Sequence, residues 1–265
     1  MNVWRSMTQS ALLAISPRRQ KKRLLRWFID RFQNEPFLFR GSYGLVFLLQ
    51  ARNTVDAEIV RFGMHERHDV DFLVQHMRAH KADLFLDIGA NLGTYSLAVA
   101  KETDCPEIIA FEPDPLNRAK LYGNIYLNDF GERIRVRDEA LSDAAGTATL
   151  HAARADNEVN DNTGASSLEP GHHIGIVHTM EIKTARLDDL LNVSGKAIVI
   201  KMDIEGHEAT ALAGMTRVIA QNHIWLQIEI LPRYAERTRA ALESLGLVEQ
   251  PHAGSGVDFI FASPS

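Results

Sequence analysis

The segment LFLDIGANLGTYSL, residues 84–97, constrains this chain more than any other. Its apolar run ending at Asp87 and Ile88 reads as a strand and the pattern from Thr94 as a helix, with only a turn bracketed by Gly89 and Gly93 between them. A strand that passes through a glycine-bracketed turn directly into a helix is the opening unit of a doubly wound parallel sheet, in which the glycines let backbone approach a ligand. The rest of the chain repeats the alternation. Strands are expected at Leu84–Ile88, Glu107–Phe111, Ile134–Arg137, Ala197–Met202 and Ile224–Ile230, with a hairpin-like end around Leu247–Val248 and Val257–Ala262. Helices are expected near 94–102, 115–128, 207–221 and 232–245. Parallel strands need helical crossovers, so this order predicts an α/β fold with helices on both faces.

In such a sheet the ligand lies outside the carboxyl ends of the strands. A dinucleotide site would read G-x-G-x-x-G and aim a helix N-terminus at pyrophosphate. Here the spacing is D-x-G-x-x-x-G, with Asn91 inside the turn. Asp87 at the strand tip would repel pyrophosphate and attract a ligand carrying an ammonium and a sulfonium. S-adenosylmethionine (SAM) has both groups and no phosphate. The second strand, IIAFEPDP, ends in Glu112, about twenty residues beyond the turn, where a carboxylate can accept both ribose hydroxyls. The third ends at RDEALSD, placing Asp138, Glu139 and Ala140 where an adenine edge would lie. Each feature alone has an ordinary reading: an aspartate at a strand end caps a turn or helix, and Glu112 before Pro113 ends a strand. Three in order, at three successive strand ends, favour the nucleoside.

These residues resemble the FkbM-type SAM-dependent methyltransferases. The resemblance rests on FLDIGANLGTYSLAVA, IIAFEPDP, EALSDAAGTATL, TGASSLEP, TARLDDLL and IKMDIEGHEATALAGM, in that order, and runs from about Gly63 to the C-terminus. It implies a Rossmann-like, doubly wound, seven-stranded and mostly parallel sheet whose last strand is antiparallel. It also implies transfer of the SAM methyl group, usually to oxygen. The domain expectation is an N-terminal helical extension over 1–60 and a methyltransferase domain over 61–265.

Methyl transfer is an in-line displacement, so the protein mainly aligns nucleophile and methyl group and excludes water. A hydroxyl acceptor also benefits from a base. The block at 200–215 projects Asp203, Glu205 and His207 from the fourth strand's end. The family pattern Lys-x-Asp-x-Glu-Gly, matched at Lys201, Asp203, Glu205 and Gly206, favours Asp203 and Glu205, while His207 falls at a position expected to vary. The same cluster could be read as a divalent-ion site, but His172, His173 and His178 lack zinc-like spacing and no metal is expected. Glu66 either faces the cleft or caps the helix after it.

Residues 18–32, RRQKKRLLRWFIDRF, carry seven basic residues against one acidic, with Leu24, Leu25, Phe28 and Phe32 on one helical face. This basic amphipathic helix either docks on the domain or rests on an anionic membrane surface or acidic partner. The formal net charge of −5 offers no general attraction to nucleic acid. The single cysteine, Cys105, excludes an internal disulfide framework and suits a reducing compartment, and no apolar run approaches the ~20 residues of a membrane span, so a cytoplasmic location is expected. The polar segment 152–180 is expected to be a lid, a binding loop or a disordered stretch. The expected acceptor is a hydroxyl on a small molecule, sugar or glycan. A nicotinamide-dependent oxidoreductase on a similar sheet and a non-catalytic SAM-binding module are the alternatives.

Overall fold

The computed structural model describes residues 6–8, 36–50, 53–152, 163–171, 178–251 and 256–264. The basic segment 18–32 lies outside them, as do His172 and His173. Seven strands form the main sheet: β4 (Leu84–Ile88), β5 (Glu107–Phe111), β6 (Ile134–Arg137), β10 (Ala197–Met202), β11 (His223–Glu229), β12 (Val248–Gln250) and β13 (Asp258–Ala262). Their order is β12-β13-β11-β10-β4-β5-β6. Neighbours from β11 to β6 pair in parallel, whereas β13 is antiparallel to both β11 and β12. This is the mostly parallel seven-stranded sheet, last strand antiparallel, that the family resemblance implies.

Alternation along the buried strands divides the core into two layers. Phe85, Val199, Trp225 and Ile260 face α1 (Thr54–Phe62), α2 (Arg67–His80) and α3 (Thr94–Glu102). Leu84, Leu86, Ile198, Ile200 and Leu226 face α6 (Glu208–Ala213), α7 (Thr216–Gln221) and α8 (Ala235–Ser244). The helix expected over 207–221 is thus two helices. They break at Gly214, where a Cβ would stand 2.0 Å from the carbonyl oxygen of Ser142.

Two features depart from the expectation. Among the described residues of 1–60, β1 (Ser6–Thr8), β2 (Phe37–Arg40) and β3 (Val46–Leu49) form a small sheet that was not expected, followed by the start of α1. Phe37, Phe39, Phe47 and Leu49 are buried in the main core. Its open edge is closed by α4 (Pro115–Leu127). Asn128 Oδ1 accepts from the Val46 amide at 2.9 Å and Asn124 Oδ1 from the Leu48 amide at 2.6 Å. Asn124 Nδ2 also donates to the Leu92 carbonyl at 2.9 Å, tying the small sheet to the glycine turn. Asn124→Ala strands these buried groups and is expected to cost on the order of 2 kcal/mol, read as a lower Tm with the far-ultraviolet spectrum unchanged.

The second departure is the polar segment, whose ends are strand. β8 (Gly146–Ala152) and β9 (His178–Ala185) pair along seven residues each, with β7 (Ala140–Leu141) on the far side of β9. His178 begins β9. The stretch 163–171 is pinned to β8 by reciprocal backbone hydrogen bonds between His151 and Ser167.

Candidate active site

At the carboxyl ends of β4, β5 and β10 lies a cavity of about 290 Å³. Asp87, Gly89, Asn91, Glu112, Glu139, Ala140, Lys201, Asp203 and Glu205 all line it, whereas Gly93 and Asp138, also expected at the site, do not. Gly93 works one step away: at φ 93° it starts α3, and a Cβ there would meet Leu121 at 2.5 Å.

The turn is a close backbone cradle. Gly89 has φ 84°, and a Cβ on it would lie 1.9 Å from the carbonyl oxygen of Asp203. The amides of Gly89 and Ala90 both donate to the Phe111 carbonyl. Asn91, left-handed at φ 50°, aims its amide at Glu112 Oε2, 2.7 Å away. The Asp114 amide donates to the other oxygen at 2.8 Å. Two amides thus fix a buried carboxyl, yet burial still pushes it up to about 8. Beside it, Asn91 Oδ1 is buried without a partner.

Asp87 combines both readings of a strand-end aspartate. One oxygen accepts from the amide and hydroxyl of Ser96, at 3.0 and 2.5 Å, capping α3, which has no side-chain cap of its own. The carboxyl lines the cavity, and burial raises it to about 6. At the third strand the paths divide. Glu139 pairs with Arg137 at 2.7 Å beside the cavity, whereas Asp138 turns away to Lys183.

The fourth-strand block carries most of the charge. The Lys201 side chain is 3% exposed, with Nζ 3.7 Å from Asp203, 3.6 Å from Asp258 and 3.9 Å from Glu66, and with no hydrogen bond of its own. Burial alone would lower this ammonium; Tyr95 and the three carboxylates raise it instead. Asp203 is raised by burial against the pull of Lys201. Glu205, at φ 53°, is pushed by burial and by Asp203 up to about 8. Glu229, at the end of β11, rises to about 9 for the same reasons. Oxygens of Asp203, Glu205 and Glu229 lie within 4.8 Å of one another, a spacing an ion could bridge, but Lys201 already supplies positive charge beside Asp203. His207 is occupied: Nδ1 meets Glu169 at 3.0 Å and Nε2 meets Ser142 at 3.2 Å. Glu169 also holds Arg237 at 3.0 Å, so the 163–171 stretch is latched across the cavity. Glu208 accepts from the Ile204 and Gly206 amides and shapes the turn that presents Glu205.

Sequence reasoning missed Glu229, Asp258, Tyr95 and His65, and left Glu66 open. Glu229 carried the same signal as Asp87, a carboxylate at the end of an apolar strand, but the strand was expected to run on through it. Glu66 faces the cavity, accepts from Tyr95 Oη at 2.9 Å, and also starts α2 without a capping hydrogen bond from its side chain.

The sheet and its cleft define a doubly wound α/β protein whose cleft is tipped with carboxylates. The model of the FkbM methyltransferase domain matches residues 87–248, more than half of the chain, and the chain belongs to that family. It is 27% identical over 140 residues to the 2-O-methyltransferase NoeI of Sinorhizobium fredii, covering 49% of this chain and 56% of that protein. It is 28% identical over 151 residues to the hexuronic acid methyltransferase AglP of Haloferax volcanii, covering 53% of each. The chain thus spans about half the length of these relatives. Among solved structures it is similar to an O-methyltransferase from Bacillus cereus in complex with SAH, with 12% identity, TM-score 0.46, and 74% and 80% of the two chains covered. Among the described residues, no helix is long and apolar enough to cross a membrane.

Proposed function

We propose that this chain is a SAM-dependent methyltransferase that methylates a hydroxyl of a sugar, glycan or related small molecule, in the cytoplasm. The observation that carries the reading is Glu112: a carboxyl buried at the second strand's tip, fixed by two backbone amides beside the partnerless oxygen of Asn91, lining a cavity that a nucleoside's hydroxyls would complete. Gly89, Asn91, Glu112, Glu139 and Ala140 would hold SAM, with Asp87 supplying negative charge near its cationic end. When bound, SAM supplies an electrophilic methyl group. Asp203 and Glu205 act on the acceptor, holding its hydroxyl in line, and Lys201 fixes Asp203 from below. The names of NoeI and AglP support a sugar-type acceptor.

The raised carboxyls give this reading a pH signature. Glu112, Glu205 and Glu229, at about 8, 8 and 9, retain protons at neutral pH in the free protein. A carboxyl raised above its unfolded value contributes stability below that value and loses it as pH rises through the folded one. The free protein is therefore expected to lose stability between about pH 4.5 and 9 on account of these groups. A cationic ligand favours their anions, so SAM affinity should rise over pH 6–9 with proton release, measured by calorimetry in buffers of different ionisation enthalpy.

The test of the acceptor class uses methyl-labelled SAM with 4-nitrophenyl glycosides of neutral hexoses, 6-deoxyhexoses and hexuronic acids. Label recovered on a sugar oxygen is the expected result. A protein that binds SAM but transfers label only to amines would overturn the hydroxyl reading.

A further inference from the structure

We propose that His65 is the base that takes the proton from the acceptor hydroxyl, with Glu58 as its positioning residue. The inference rests on the methyltransferase reading and assigns the proton's destination within that site. His65 lines the same cavity as Asp203 and Glu205. It sits on the bend between α1 and α2. That bend is fixed by the left-handed Gly63 (φ 85°) and Glu66 (φ 49°) and by the Ser42 amide, which donates to the Gly63 carbonyl at 2.7 Å. Its Nδ1 stands 2.8 Å from Glu58 Oε2, so the carboxylate holds the Nδ1–H tautomer and leaves Nε2 to accept a proton. Nε2 is 3.4 Å from Glu66 Oε1, beyond a strong hydrogen bond, while the other Glu66 oxygen is engaged by Tyr95. Among the described residues two imidazoles line the cavity, and His207 has both nitrogens occupied, which leaves His65 of the two.

The step balances. The acceptor oxygen forms its new bond to carbon with a lone pair, the carbon–sulfur bonding pair stays on sulfur as the sulfonium becomes a thioether, and the hydroxyl proton passes to Nε2. Glu58 is 45% exposed, so the proton has a route to solvent on the Nδ1 side. The charged groups facing the imidazole include Glu58 and Asp56 from α1, Glu66 at the start of α2 and Asp203 after β10. Burial works to lower the imidazole, but these carboxylates outweigh it and hold it above its ordinary value in the free protein. Positive charge arriving in the cavity opposes them and favours the neutral base.

The experiment has two arms. Histidine-selective ¹⁵N labelling, with His65 assigned by comparison with His65→Gln, follows the ring nitrogens from pH 5 to 9 without and with SAM. The expected result is a lower titration midpoint with SAM, the Nδ1–H tautomer above it, and a further downward shift in Glu58→Gln. An unmoved midpoint, or the Nε2–H tautomer, overturns the proposal. In the second arm, turnover of whichever 4-nitrophenyl glycoside the wild type methylates should fall about 10²- to 10⁴-fold in His65→Gln, with SAM affinity within about threefold and the ascending limb of the kcat profile lost. Glu58→Gln should move that limb to lower pH, and decides the question should His65→Gln fail to fold. Turnover of His65→Gln within threefold of wild type would make His65 structural. Should no glycoside be methylated, the acceptor reading fails, while the nitrogen titration still decides the role of His65.

Discussion

Asp203→Asn and Glu205→Gln are each expected to lower methyl transfer by about 10²-fold while leaving SAM affinity within about threefold of wild type. The magnitude comes from alignment: a nucleophile misplaced by about 1 Å loses about that much rate. The separation of the two readouts comes from position. Both residues follow the end of β10, across the Gly89 turn from the residues that would hold the nucleoside, and Glu112 takes its hydrogen bonds from the amides of Asn91 and Asp114. Asp203→Asn also removes one of the three carboxylates around Lys201, leaving Glu66 and Asp258 to hold the ammonium. Glu205→Gln takes one carboxyl out of its cluster with Asp203 and Glu229. Calorimetry for SAM and turnover at matched SAM occupancy check the pair. If both variants methylate at the wild-type rate, the block is scaffold and Asp203 serves the turn alone.

Glu112→Ala is expected to weaken SAM by about 1.5–3 kcal/mol, or about 10- to 150-fold, the worth of hydrogen bonds to a charged acceptor. The free protein offers this carboxylate two amide donors and no hydroxyl. Its remaining lone pairs are the ones a ribose would meet. Alanine also deprives the Asn91 and Asp114 amides of their acceptor, so Glu112→Gln is the companion variant: it keeps one acceptor oxygen and should lose less. Unchanged calorimetry in both variants would remove Glu112 from the site.

The parallel strands were legible because β4, β5 and β10 are largely apolar runs bounded by glycine, proline or a charge while β6, IRVR, alternates, and all four lie where the sequence placed them. The same property made Asp87, Glu112, Asp203 and Glu205 readable, since a carboxylate ending an apolar run must stand at a strand tip. The β2–β3 hairpin was hidden beside a strongly basic amphipathic stretch, although FLFR and VFLL flanking GSYG are themselves a hairpin signal. The β8–β9 pair was hidden because GTATLHA is built from small and hydroxylated residues and its partner lies far along the chain. His65, Glu58 and Tyr95 come from the helical layer over the sheet, and Asp258 from its antiparallel strand. No local pattern announces that they meet at Lys201 or at the cavity; only the packing of α1, α2 and α3 on β10 and β11 brings them there.

The central claim is that this cleft takes a cation-bearing nucleoside and not a pyrophosphate. Calorimetric titration of the same protein with SAM and with NAD at pH 8 tests it most directly. The expected result is saturable SAM binding that Glu112→Ala weakens at least about tenfold, with no heat from NAD at the same concentrations. NAD binding as tight as SAM, or tighter, would contradict it.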